Sequence, residues 1–235
     1  MAKEKLAVVE KNKSIVEYLG LTKTFDITDE ADGVDVILPT IQIISQAQVF
    51  KFPDGSKRDS FEGVILDISR YNIYWKTAFS SGAGVPPTCF SKDGIRPDPL
   101  SEEIQAPKCA KCPQNVYGSD INGGRGKACQ NRKNLYILLK NELLPHKLAI
   151  SPANIKDIDM FISSNILSKG ISRLQVVVGF SLEATKNKDG IGYSKIIYHV
   201  NNVFEDEQSY KFVKGIRNGW LPVMRGQSIE TEAEE

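Results

Sequence analysis

All four cysteines of this 235-residue chain fall between residues 89 and 129, and that clustering limits what the chain can fold into. Their spacing is Cys89-x19-Cys109-x2-Cys112-x16-Cys129. A Cys-x-x-Cys pair on a tight turn sets two thiolates on one side of the backbone, where they can share a tetrahedral zinc at about 2.3 Å each. Pro107 and Pro113 bracket the pair and favour such a turn. Cys89 and Cys129 would complete a closed set of four sulfurs, which suits one structural zinc ion with no open position for hydrolysis. Residues 80–130 are rich in Gly, Pro, Ser and Asn and short of core formers. Such a stretch cannot fold on buried apolar area alone, and a metal would supply the missing free energy.

Two disulfides, a redox Cys-x-x-Cys and unrelated free thiols are the competing readings. The N-terminus mixes charges into every turn and does not read as a signal peptide. No apolar run approaches the roughly 20 residues that span a bilayer. The expected setting is therefore cytoplasmic and reducing, without membrane contact, where disulfides are rare. Gln105-Ala-Pro-Lys does not read as the strand that precedes a thioredoxin-like pair. His146 and His199 lie outside the window and read as ordinary residues.

The formal net charge of +1 conceals a division. Pro107 to Lys133 holds six bases (Lys108, Lys111, Arg125, Lys127, Arg132 and Lys133) and one acid, Asp120. The last six residues hold four glutamates and no base, so the remainder of the chain has 30 bases against 25 acids. A basic body with an acidic tip points to a polyanionic partner. Tyr71, Tyr74 and Trp75 lie among Arg70 and Lys76. Rings interleaved with cations suit a groove for single strands, where bases stack and phosphates are neutralised. The competing reading is that these rings pack the core, as aromatics at strand ends usually do. Tyr117, beside the cysteines, has less core within reach. The loop Gly123-Gly-Arg-Gly-Lys127 lacks the Walker pattern and reads as a basic finger on nucleic-acid backbone.

Along the chain, residues 1–35 read as a frayed or partly helical arm. Strands are expected at Leu38 to Phe52, Phe61 to Ser69, Arg173 to Thr185 and Tyr193 to Val200, with a hairpin turn at Asn187 to Gly190. Tyr71 to Phe79 reads as extended or irregular. Leu135 to Lys140 reads as a strand or short helix, extended by Lys147 to Ile150. Ser151-Pro152 opens a helix carrying Ile155, Ile158, Ile162 and Ile166 and closed by Gly170. A last amphipathic helix is expected over about 205–217, ending at Asn218-Gly219. With the cysteine segment set aside, the order is strand, strand, strand, helix, strand, strand. That order fits a mainly β fold with some α: an OB-fold-like five-stranded barrel over 36–220, carrying a zinc insertion at about 80–133 and followed by an acidic tail over 221–235.

In plan the chain resembles phage-type single-stranded DNA-binding proteins of the T-even helix-destabilising kind. The likeness rests on the interrupted barrel, on Pro87-Thr-Cys89 through Cys109-Ala-Lys-Cys112-Pro to Gly126-Lys-Ala-Cys129, and on Glu230 to Glu235. It is one of architecture rather than of matched motifs, and the T-even zinc site has a histidine where this chain would use a fourth sulfur. The resemblance implies a non-catalytic single-stranded DNA-binding protein serving replication, recombination or repair in a phage-infected host cell. Its acidic tail would compete with DNA and dock replication or recombination proteins. Neither a nucleophile–base pair nor a cofactor loop is visible. The alternatives are a zinc-ribbon transcription regulator, or a metal-dependent nuclease drawing on Glu62, Asp67 and Glu183. Oligomeric state is not legible in the sequence.

Overall fold

The computed structural model describes residues 14–21, 34–76, 85–186, 190 and 192–226. Among them nine strands form one curled, open sheet. The strands are β1 (Thr40–Ile44), β2 (Val49–Lys51), β3 (Lys57–Arg58), β4 (Ser60–Tyr74), β5 (Cys89–Ser91), β6 (Gln130–Leu138), β7 (His146–Ile150), β8 (Val176–Lys186) and β9 (Gly192–Val203). Their order is β3-β2-β1-β7-β6-β4-β8-β9, with β5 also paired to β4. The β1–β7 pair is parallel, and the other pairs are antiparallel. The helices are α1 (Ile15–Leu19), α2 (Ile155–Phe161) and α3 (Glu207–Gly226). None among the described residues is long and apolar enough to cross a membrane.

β4 organises the sheet because both of its faces are covered. Side chains alternate across a strand, so Phe61 and Ile65 enter one core while Val64 and Leu66 enter another. β6 divides likewise, with Leu135 and Ile137 on the first side and Tyr136 and Leu138 on the second. The first side is filled by Phe50, Phe52, Phe61 and Phe180 beneath α2. Phe61 and Phe180 stack with centroids 4.6 Å apart. The second side is covered by α1 and α3 through Ile15, Leu19, Val213, Ile216, Trp220 and Met224. Between Ile65 and Asp67 the pairing with β6 slips by one residue. This bulge sets Leu66 and Asp67 side by side on the second face.

α2 follows a 3-10 turn that starts at Pro152, and Asn154 fixes it to the sheet. The Asn154 amide donates to Ser194 O (3.0 Å) and its Oδ1 accepts from Ile196 N (2.9 Å). The helical path continues through a π turn (Ile162–Ile166) and a 3-10 turn, and ends at Gly170 with φ 70°. The expected isoleucines and the expected stop are therefore in place.

Several boundaries differ from the sequence expectation. Leu38 to Phe52 is a hairpin rather than one strand, turning at residues 45–48 with Gln48 at φ 54°. Residues 71–74 continue β4, and 135–138 and 146–150 are separate antiparallel partners. The last helix runs to Gly226, straight through Asn218-Gly219 and Pro222. Its buried stripe of Val213, Ile216, Trp220 and Met224 outweighs those weak helix formers. Trp220 Nε1 further anchors it by donating to Leu143 O at 2.8 Å. Most of the expected N-terminal arm, Phe79, Asn187 to Asp189 and the acidic tail beyond Gly226 lie outside the described residues.

The packing around β4 predicts opposite signs for two glycine substitutions. A Cβ on Gly63 would lie 2.5 Å from Ile137 Cγ2 and 2.7 Å from the Leu138 carbonyl oxygen, which cannot swing away. Gly63→Ala should cost about 1–3 kcal/mol in urea unfolding. Gly215, exposed on α3, has nothing within 4 Å of its added Cβ. Gly215→Ala should stabilise by about 0.5–1 kcal/mol.

Candidate functional site

The four cysteines come from three places in the fold. Cys89 opens β5 and sits opposite Tyr74 at the end of β4. Cys109 starts a 3-10 turn, and Cys112 ends it by donating its N–H to Cys109 O. Cys129 immediately precedes β6, and its N–H donates to Gln114 O at 2.8 Å. All four line one small cavity, together with Asn72, Tyr74 and Phe90. Cys109, Cys112 and Cys129 are buried, and none of the four is in a disulfide. As they stand, no three His, Cys, Asp or Glu side chains among the described residues are gathered tightly enough to hold a metal ion.

Turns and side-chain caps build this segment rather than an apolar core. Asp93 Oδ1 accepts from the backbone N–H groups of Ile95 and Arg96 and from the Ser91 hydroxyl. Asn115 donates to Cys109 O at 2.9 Å, and the Ser119 hydroxyl accepts from Ala128 N. A polar chain ties the segment to the sheet. Lys127 Nζ donates to Asn115 Oδ1 and Asn131 Oδ1, and Asn131 donates to Asn72 Oδ1 at 2.7 Å.

Burial pushes the Cys129 thiol up to about 12. Cys112, Cys109 and Cys89 raise it further, while Lys127 opposes them. Four sulfurs facing one buried space can ionise together only if a positive charge joins them. The donor set itself, thiolate with no carboxylate, matches Zn²⁺.

The sequence-predicted contact residues divide into two groups. Arg70, Lys108, Lys111 and Arg125 are exposed. Tyr117 is 80% exposed, with Lys127 Nζ 5.0 Å from its ring centroid. Arg132 lies opposite Tyr71 in the β4–β6 register and donates from Nε and Nη2 to Gln130 Oε1. Trp75 is half-buried, and its indole N–H donates to Val85 O. Lys76 is exposed and pairs with Glu103 at 3.0 Å. Tyr71 and Tyr74, expected as stacking platforms, are instead buried, because β4 continues through them and both of its faces are covered there. Lys133, expected at the surface, is also buried, and its ammonium is engaged by Asp159.

Sequence reasoning missed Arg173, Arg217 and Arg225, which gather around Asp67 from positions up to 158 residues away. The one signal was an aspartate inside the apolar run Val64-Ile-Leu-Asp-Ile68.

The pH dependence of Cys129 is testable in reduced, chelator-treated protein. A raised thiol value means that the folded state holds its proton where the unfolded chain loses it. The resulting stability is fully present below about pH 9 and is lost as the pH rises towards about 12. At pH 8, Cys129 should alkylate about a thousandfold more slowly than a cysteine in a short peptide. Equal rates, followed by peptide mass mapping, would contradict this account of the cavity.

Searches of protein-family models, of curated proteins and of solved structures found no match to this chain.

Proposed function

We propose that this chain is a non-catalytic single-stranded DNA-binding protein: an OB-fold-like barrel carrying a segment knit by one zinc ion. The strand order carries the reading. Five strands, β4, β6, β7, β8 and β9, lie side by side as β7-β6-β4-β8-β9, with α2 between the third and fourth in sequence. This is the first-strand-central order of an OB-fold, a five-stranded Greek-key barrel that binds oligonucleotides and oligosaccharides. The β1–β2 hairpin occupies the place where the third and fifth strands of such a barrel would close. It pairs with β7, and Gln48 in its turn donates to the Ser194 hydroxyl of β9 at 2.8 Å.

The cysteine segment enters between the first and second of these strands, where an OB-fold carries one of its ligand-binding loops. Cys89, Cys109, Cys112 and Cys129 would hold the zinc, their sulfurs turning about χ1 towards one point. The ion would neutralise the thiolates and fix the loop. Arg70, Lys108, Lys111, Arg125, Lys127 and Arg132 would meet phosphates, and Tyr117 offers an exposed ring for a base. The resemblance drawn from the sequence favours DNA, a role in replication, recombination or repair, and a cytoplasmic setting in an infected cell. The acidic tail would compete for the basic surface and dock partner proteins. The nuclease alternative loses support from Asp67, whose carboxylate is held by three guanidinium groups.

Freshly purified protein should contain about one zinc per chain by metal analysis. Cys112→Ser should lose that zinc and make residues 85–130 sensitive to protease. Poly-dT should bind far more tightly than duplex of equal length, without need of magnesium. Tyr117→Ala should weaken poly-dT binding by about 1–3 kcal/mol, with unchanged thermal unfolding. Binding of duplex in preference to single strand, or cleavage in magnesium, would replace this reading with one of its alternatives.

A further inference from the structure

Asp67 is 1% exposed, yet three arginines converge on it. Arg173 Nη2 and Arg217 Nη2 lie 3.3 and 3.1 Å from Oδ1, and both donate to it. Arg225 Nη2 lies 2.8 Å from Oδ2, an ion-pair distance without hydrogen-bond alignment. Arg173 comes from the 3-10 turn before β8, and the other two come from α3. The bulge brings them together. It frees the Leu66 carbonyl, which accepts from Arg217 Nε (3.1 Å) and Arg173 Nη2 (3.3 Å).

Satisfying one carbonyl and one carboxylate does not require three cations. The four side chains sum to two excess positive charges. Arg173 Nε is buried with no hydrogen-bond partner among the described residues. Burial works against the Arg173 charge, Asp67 favours it, and Arg217 and Arg225 oppose it. Like-charged guanidiniums so placed gain from an added anion. The cluster also remains open to one, since the Arg173, Arg217 and Arg225 side chains are 32%, 23% and 51% exposed.

Position selects the anion. Asp67, Ser69 and Tyr71 share one face of β4, and Tyr136, Asn134 and Arg132 lie opposite them on β6. Arg132 therefore sits on the same face as the cluster, about 13 Å along the strand. Beyond it begins the cysteine segment with its exposed cations. A backbone leaving that segment at the half-buried Arg132 would pass over the buried Ser69 and Tyr71 and reach the exposed edges of the arginines one or two nucleotides later.

We propose that Arg173, Arg217 and Arg225, held by Asp67, form a binding site for a phosphate group, occupied by a phosphodiester of the bound single strand. The proposal rests on the single-strand reading above, and the test separates the two. Full-length protein is titrated with fluorescent oligo-dT from 50 to 200 mM salt, as wild type, Arg225→Gln and Arg225→Lys. Each lost phosphate contact should reduce the salt slope by about 0.7, so the fourfold rise in salt should weaken Arg225→Gln about 2.5-fold less than wild type. Arg225→Lys should retain most of the slope. A slope unchanged in Arg225→Gln while wild type binds would overturn the site and leave the single-strand reading standing.

A second arm compares thermal unfolding in inorganic phosphate and in chloride at equal ionic strength. Phosphate should raise the midpoint of wild type and not that of Arg225→Gln. If wild type binds no oligonucleotide, the single-strand reading fails. Phosphate stabilisation lost in Arg225→Gln would then support the cluster as a site for free phosphate and overturn its phosphodiester occupant. Equal behaviour of the two proteins in phosphate would overturn the site outright.

Discussion

The architecture depends on β4 being buried on both faces along most of its 15 residues. A strand that serves two cores cannot shift register, because a slip by one residue would exchange the side chains of the two sides. The bulge between Ile65 and Asp67 is the one place where this alternation breaks. It turns a carbonyl and a carboxylate towards the helix-covered face, and arginines from two distant elements satisfy both. The same strand ends at Tyr74 beside Cys89, so the cysteine segment is hung from the most constrained element in the fold. A loop with little apolar core thereby gains a rigid base.

What the sequence made legible follows from how local each signal was. The helix after Ser151-Pro152 and its stop at Gly170 were legible because spacing and turn chemistry lie within one segment. The clustering of the cysteines in sequence was legible for the same reason; all four line one small cavity, without three of them being gathered to metal-holding distance. The burial of Tyr71 and Tyr74 was not legible, since it depends on β5 and β6 flanking the end of β4, and those strands lie 15 or more residues away. The length of the last helix was misread because Asn218, Gly219 and Pro222 are local stop signals. Tertiary burial of Trp220 and Met224 overrides them. The arginine cluster joins positions 67, 173, 217 and 225, and no local pattern could have announced it.

The two polar features of the sheet have a common logic. In the cysteine cavity, four potential negative charges surround a buried space. At Asp67, three positive charges surround a single negative one. Each is an incomplete electrostatic arrangement that a ligand of the right sign would complete: a soft cation in the first case, a phosphate in the second. The cation would order the loop, and the phosphate would sit against the exposed edges of the three arginines. We propose on these grounds that the metal would be structural, and that the partner would meet the exposed cations of the cysteine segment and the arginines around Asp67.

Hydrogen–deuterium exchange of the full chain, with and without saturating oligo-dT, tests this account most directly. The account predicts slowed exchange in the cysteine segment and at the accessible backbone near Arg132, Arg173 and Arg225, with little change on the β1–β2 hairpin. Protection confined to the hairpin, or no protection at concentrations well above those inside cells, would contradict it.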